Sequence, residues 1–229
     1  MFKNIVTDVF FDLDHTLWDF EKNSALTFEK ILVTHDVPVS LEDFLEVYVP
    51  NNLVFWRLFR EEKISKTALR YQRLKTTFDT LGLEVSDAVI NSLSDAYIAN
   101  LATYNHLFPN AIAILDYLKP KYNLHIITNG FQEVQNKKIR NSNIAPYFHQ
   151  VINSEMAGVK KPNPIIFDLA LEMANVPAEK ALMIGDSLEA DILGAQAAGL
   201  NALHFNAHNE QKHEYCDMIT DLSEIKLYL

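Results

Sequence analysis

Asp12 and Asp14 stand two residues apart at the end of the apolar run Val9-Phe10-Phe11. Side chains alternate along a strand, so an i, i+2 pair projects to one side wherever strand geometry persists. Two carboxylates ~4 Å apart repel by about 4 kcal/mol at an effective dielectric near 20, and a bound cation or a proton must offset that. Other polar groups of complementary kind follow later in the chain. Thr128-Asn129-Gly130 bring a hydroxyl, backbone donors and a glycine that permits close approach, all suited to phosphate oxygens. Lys160-Lys161-Pro162 can turn one ammonium group inward, and Gly185-Asp186 closes an apolar run with Asp191 five residues beyond. Taken singly, each also suits an ordinary turn or a solvated charge pair. Together they supply carboxylates for a hard cation, and a lysine and a hydroxyl for an oxyanion.

Bringing these groups together requires a sheet. Val9–Phe11, Leu124–Ile127, Val151-Ile152, Ala181–Ile184, Leu200–Phe205 and Met218-Ile219 read as strands, the first of them apolar on both faces. Helices are expected between them: Pro109–Lys119 with proline in its first turn, Phe131–Asn141, Ile165–Ala174 after Pro164, and Leu188–Ala198 stopped by Gly199. A last helix is expected near Leu222–Leu229. This alternation predicts an α/β fold, a doubly wound parallel sheet with right-handed crossovers. Open sheets of that kind place ligands at the carboxyl ends of their strands.

One block breaks the pattern. From about Trp18 to Tyr104 four helices are expected: Asp19–His35, one capped by Ser40 and reaching Glu62, Ser65–Leu81 ended by Gly82, and Ser86–Leu101. Pro50 marks a point where the second could split or kink. Phe55, Trp56 and Phe59 are read as helix core from their spacing. The block is therefore an insertion after the first strand, dividing the chain into a core of residues 1–17 plus 105–229 and a helical cap of 18–104.

Composition narrows the classes of function. The 229 residues are 48% hydrophobic and 22% charged, ordinary for a soluble globular protein. The net charge of -10 disfavours a nucleic acid polymer as partner, though not a small phosphate ester. No apolar run is long enough for a membrane span, and the N-terminal residues do not read as a secretory signal. With Cys216 as its single cysteine, the chain is expected in a reducing, cytoplasmic setting, with the thiol idle. A monomer or weak homodimer is expected.

Four ordered motifs, Asp12-x-Asp14-x-Thr16, Thr128-Asn129-Gly130, Lys161-Pro162 and Gly185-Asp186-x4-Asp191, resemble those of the haloacid dehalogenase superfamily over the whole chain. The segments around Asp14–Phe20, Ile127–Phe131, Lys161–Asn163 and Asp191–Ala195, with Asn206-Ala207-His208, resemble more closely its pyrimidine-type 5′-nucleotidases. The resemblance implies a Rossmann-like core with an α-helical cap, and Mg²⁺-dependent hydrolysis of a phosphomonoester, above all a nucleoside 5′-monophosphate. It implies Asp12 as nucleophile, forming an aspartyl-phosphate, and Asp14 as general acid and then base. It gives Mg²⁺ to the Asp12 and Asp186 side chains and the Asp14 carbonyl, with Asp191 in or near the second layer. Thr128, the Asn129 backbone and Lys161, chosen over Lys160, would bind phosphoryl oxygens.

Trp18 and Phe131 flank the motifs and suit either stacking on a base or packing. His15 and His208 lack the spacing of a metal site and receive no role. Within the same fold, a phosphatase or mutase of sugar phosphates and a 2-haloacid dehalogenase are alternatives. The dehalogenase has no need of an acid two residues after its nucleophile. A phospho-accepting signalling module also combines Asp, Thr and Lys at strand ends, but in a shorter chain with no helical insertion.

Overall fold

The first strand, β1 (Asp8–Phe11), is buried along its whole length, as expected for a strand covered on both faces. In the computed structural model, which describes residues 2–229, it lies inside a six-stranded sheet. The other strands are β2 (Asn123–Thr128), β3 (Phe148–Asn153), β4 (Ala181–Gly185), β5 (Asn201–Phe205) and β6 (Met218–Ile219). All pairings are parallel, in the order β3-β2-β1-β4-β5-β6. The chain builds outward from β1 to β3, then returns to lay β4 on the other side of β1. That reversal makes a topological switch point beside β1, where open sheets hold their ligands. Register fixes the site: Phe11 pairs with Ile126 on one side and Ile184 on the other, so Asp12, Thr128 and Asp186 leave the sheet at one rim.

The chain divides into two compact units, one of residues up to Phe20 with Asn105–Leu229, the other Glu21–Tyr104. The helical unit holds most of α1 (Phe20–Thr34) and all of α2 (Leu41–Arg60), α3 (Lys66–Thr80) and α4 (Asp87–Asn100). Ser40, Ser65 and Ser86 cap the last three, each hydroxyl accepting from the backbone N–H three residues on. Phe28 packs against Phe44, Tyr48 and Tyr97 with ring centroids 4.5–4.7 Å away. The face of α2 used here is Phe44, Tyr48 and Asn52, at the i, i+4, i+8 spacing of one stripe. Phe55 and Phe59 continue that stripe at i+11 and i+15 but, like Trp56, are half-buried, so they join the core only in part. Pro50 neither splits nor ends α2, since one proline removes a single i→i−4 bond and the buried stripe spans it.

In the sheet-bearing unit, α5 (Ala111–Leu118), α6 (Gln132–Asn141), α7 (Ser154–Ala157), α8 (Pro164–Ala174) and α9 (Gly194–Ala197) connect the strands. Pro109 does not open α5, because Asn110 takes a left-handed φ of 64° and the helix begins after it. β3 is longer than Val151-Ile152 because His149 and Gln150 occupy an edge strand, where polar residues hide the apolar pattern. The segment expected as one helix over Leu188–Ala198 is a π-helical turn, Leu188–Leu193, running into α9. The C-terminal helix is 3-10, Leu222–Leu227. Among the described residues, no helix is long and apolar enough to cross a membrane.

Candidate active site

At the carboxyl rim of β1, Asp12 is 7% exposed and its backbone N–H donates to Ile184 O of β4. Lys161, from the loop before α8, reaches the same point. Its Nζ donates to Asp12 Oδ1 at 2.6 Å and to Ile127 O at 2.7 Å, and lies 2.6 Å from Asp191 Oδ1. Lys160, its neighbour, is half-exposed, so the inward lysine is Lys161. The Asn129 side chain holds the backbone of Lys161 on both sides, accepting from its N–H at 2.7 Å and donating to its carbonyl at 3.0 Å. The Lys161–Pro162 peptide is cis. Ser154 Oγ, at the start of α7, donates to Asn129 O.

Asp186 follows β4. Its Oδ1 accepts from Thr16 Oγ1 at 3.2 Å, its Oδ2 lies 3.6 Å from His208 Nε2, and its carbonyl accepts from His204 Nε2 at 2.7 Å. The π-turn brings Asp191 back beneath Asp186, where Oδ2 accepts from Ser187 N at 3.0 Å. Gly185 is required there, since any Cβ would collide with the Asp191 carboxylate. Asp14, the second carboxylate of the opening pair, accepts from Gln135 Nε2 at 2.8 Å and from Lys138 Nζ at 2.5 Å. Thr128 Oγ1 accepts from Gly130 N at 3.2 Å and Gln135 Nε2 at 2.7 Å.

Charge is out of balance at this rim. Four carboxylates, Asp12, Asp14, Asp186 and Asp191, face the two buried ammonium groups of Lys161 and Lys138. Burial, opposed by Lys161 and reinforced by Asp191, Asp186 and Asp14, pushes the Asp12 carboxyl well above the usual carboxylate range. Asp191 is also raised, by burial first. Burial would pull Lys161 down, yet Asp12 and Asp191 outweigh it and keep the ammonium charged beyond its ordinary range. Burial also pushes Asp186 up, but His208, His15 and Lys161 together hold it below the usual value.

The donor set suits a hard divalent cation. Asp12, Asp186 and Asp191 each offer a carboxylate oxygen, all within 4.8 Å of one another, and oxygen-only clusters match Mg²⁺. A charge of +2 would balance the excess of carboxylates. Asp191 is 1% exposed against 7% for Asp12, and Asp186 is half-buried, so Asp12 and Asp186 are the side chains better able to face an ion.

The rim thus gathers Asp12, Asp14, Thr128, Asn129, Lys161, Asp186 and Asp191. Trp18 and Phe131 stand differently. Trp18 is 0% exposed and lies under Lys138 Nζ, 4.2 Å from its ring, so in this arrangement the ring packs and presents no open face to a base. Phe131 is buried at the N-cap of α6. Reading the motifs alone misses Gln135, Lys138 and His204, all buried. Their signal is a polar residue on an apolar face: Gln135 and Lys138 share the buried side of α6 with Val134 and Ile139, and His204 interrupts a buried strand. His15 and His208 pair at 4.9 Å between ring centroids beside Asp186.

A family model of haloacid dehalogenase-like hydrolases matches residues 9–199. The chain is 33% identical over 205 residues to the pyrimidine 5′-nucleotidase PynA of Streptococcus pneumoniae, covering 89% of this chain and 85% of that one. It is 32% identical over 207 residues to the pyrimidine 5′-nucleotidase YjjG of Escherichia coli, covering 90% and 88%. The crystal structure of the Bacillus subtilis protein YfnB bound to magnesium is similar at a TM-score of 0.88 and 29% identity, over 98% of each chain.

Proposed function

The chain belongs to the haloacid dehalogenase-like hydrolases, and from that premise we propose that it is a Mg²⁺-dependent phosphatase of nucleoside 5′-monophosphates. One observation carries the reading: Lys161 engages Asp12 Oδ1 at 2.6 Å, while Asp14 is held two residues on by donors of its own. With Oδ1 held, Oδ2 of Asp12 is the oxygen that attacks phosphorus in line. The bond from phosphorus to the ester oxygen breaks, and Asp14 gives its proton to the departing nucleoside oxygen. Water then attacks the aspartyl-phosphate, Asp14 takes its proton, and inorganic phosphate leaves with Asp12 restored.

Lys161 and the Thr128 hydroxyl meet phosphoryl oxygens, with the Asn129 backbone beside them. The side chains of Asp12 and Asp186 and the carbonyl of Asp14 would hold Mg²⁺, with Asp191 behind. When bound, the ion offsets the negative charge that otherwise keeps a carboxylate and a phosphate dianion apart. Uncatalysed phosphate-monoester hydrolysis is so slow that enzymes accelerate it by up to ~10²¹-fold, and positioned charge must carry much of that. The Asp14 carboxyl has no part in a dehalogenase cycle, which favours phosphoryl chemistry.

The names of PynA and YjjG as pyrimidine 5′-nucleotidases support a pyrimidine nucleotide as substrate, with the pyrimidine nucleoside as leaving group. The test is release of inorganic phosphate from CMP, UMP, dTMP, AMP, GMP and a set of sugar phosphates, with Mg²⁺ and with EDTA. We expect turnover of the pyrimidine nucleotides that EDTA abolishes and added Mg²⁺ restores. Turnover confined to sugar phosphates would overturn the nucleotide assignment. Undiminished turnover in EDTA would overturn the role of the ion.

A further inference from the structure

We propose that Lys138 and Gln135 are positioning residues that fix the plane of the Asp14 carboxylate, an inference that rests on Asp14 acting in proton transfer. Lys138 Nζ donates to Oδ1 and Gln135 Nε2 to Oδ2, so each carboxylate oxygen is held separately. A carboxylate has about four acceptor sites. One donor on each oxygen stops rotation about the bond to Cβ and leaves a lone pair on each for the proton being exchanged.

Neither donor is itself loose. Lys138 is 2% exposed, with Nζ 4.2 Å from the Trp18 ring centroid and 5.2 Å from that of Phe20. Gln135 is 1% exposed, and the same amide nitrogen donates to Thr128 Oγ1. Gly130 makes room for it, since a Cβ at that position would collide with the Gln135 side chain. The amide therefore ties Asp14, which follows β1, to Thr128 at the end of β2. Desolvating an ammonium group is costly. Lys138 nonetheless occupies the buried face of α6, and Asp14 is the carboxylate at its tip.

A residue that only stabilises the fold would affect all substrates alike; one that aims a proton donor would not. The p-nitrophenolate ion leaves without a proton, whereas a nucleoside alkoxide needs one. Steady-state kcat/KM reports the steps up to departure of that first product, so the two esters separate the roles. For Lys138→Met we expect kcat/KM on a nucleoside 5′-monophosphate to fall by about 100-fold, the cost of misplacing a reacting group by ~1 Å, with under ~10-fold loss on p-nitrophenyl phosphate. Lys138→Arg, which restores a charged donor, recovers most of the nucleotide activity. Equal losses on both esters, or none on either, overturn the proposal.

A crystal structure of Lys138→Met decides independently of turnover. We expect Asp14 to rotate out of its plane; an unchanged carboxylate still on Gln135 would refute the inference. Should the wild type cleave neither ester, the functional reading fails, and the orientation of Asp14 in the variant still settles the role of Lys138.

Discussion

Both units of the molecule bury cations, and Lys161 of one and Arg73 of the other are kept by different means. In the sheet-bearing unit Lys161 sits between Asp12 and Asp191, at 2.6 Å from each. In the helical unit Arg73 is 3% exposed, and no carboxylate pairs with it among the described residues. Its guanidinium lies 4.9 Å from the Tyr97 ring centroid and 5.8 Å from that of Tyr48, and Nη1 donates to Asn52 Oδ1 at 2.9 Å. Aromatic faces and an amide oxygen satisfy a cation without changing the charge state of any neighbour. Two carboxylates do more: they hold Lys161 protonated while Asp12 is driven up by burial and by the other acids. The first arrangement builds a core. The second concentrates unbalanced charge where a substrate and a metal ion can complete it.

The largest effect that could break this contrast is at Lys161. Lys161→Met leaves Asp12 and Asp191 facing each other without their common partner. Removing one member of a buried pair costs about 3–5 kcal/mol, so we expect urea unfolding to lose that much stability together with nearly all turnover. A variant as stable as the wild type would mean that the acids there are already neutral. Arg73→Met should cost less, about 1–3 kcal/mol from the lost ring contacts and hydrogen bond, with kcat/KM within a few-fold of wild type. Loss of turnover without loss of stability in Arg73→Met would give the helical unit's cation a chemical role and erase the distinction.

The smallest effect concerns a third buried pair. His125 Nε2 donates to Asp8 Oδ1 at 3.0 Å, and its ring stacks on Phe10 at 4.7 Å. Burial, which outweighs the pull of Asp8, holds this histidine below its usual pKa. The unfolded chain therefore binds the proton more readily. Stability is lost as pH falls through the ordinary histidine range near ~6.5, and is regained above it. In His125→Gln the slope of unfolding free energy between pH 7 and 5 should be shallower than in the wild type. An unchanged slope would show that this pair does not couple to protons.

Much of this was legible in the chain because strand ends are local. An apolar run that stops at a carboxylate, a Thr-Asn-Gly or a Gly-Asp announces both the strand and what its rim presents. The helical insertion was equally plain, from three serine caps and Gly82. What escaped depends on which side of a helix faces inward. Gln135 and Lys138 look like ordinary polar residues of a charged helix until Val134 and Ile139 are seen to share their side. The π-turn escaped because its cause, Asp191 reaching back to Ser187 N, lies between residues whose types favour a plain helix. Pro50 misled for the opposite reason: tertiary packing along Phe44, Tyr48 and Asn52 carries the helix past it.

The grip of Asn129 on both sides of the Lys161 peptide welds two loops that the chain separates by 32 residues. A fluctuation that lifts the lysine must also drag the turn after β2, whose carbonyl Ser154 tethers in addition. Half-built versions of this rim are therefore sparsely visited: the counter-charge for Asp12 and the backbone beside Thr128 come and go as one body. Amide exchange at residues 130 and 161 should share a single opening free energy, though neither belongs to a helix or strand.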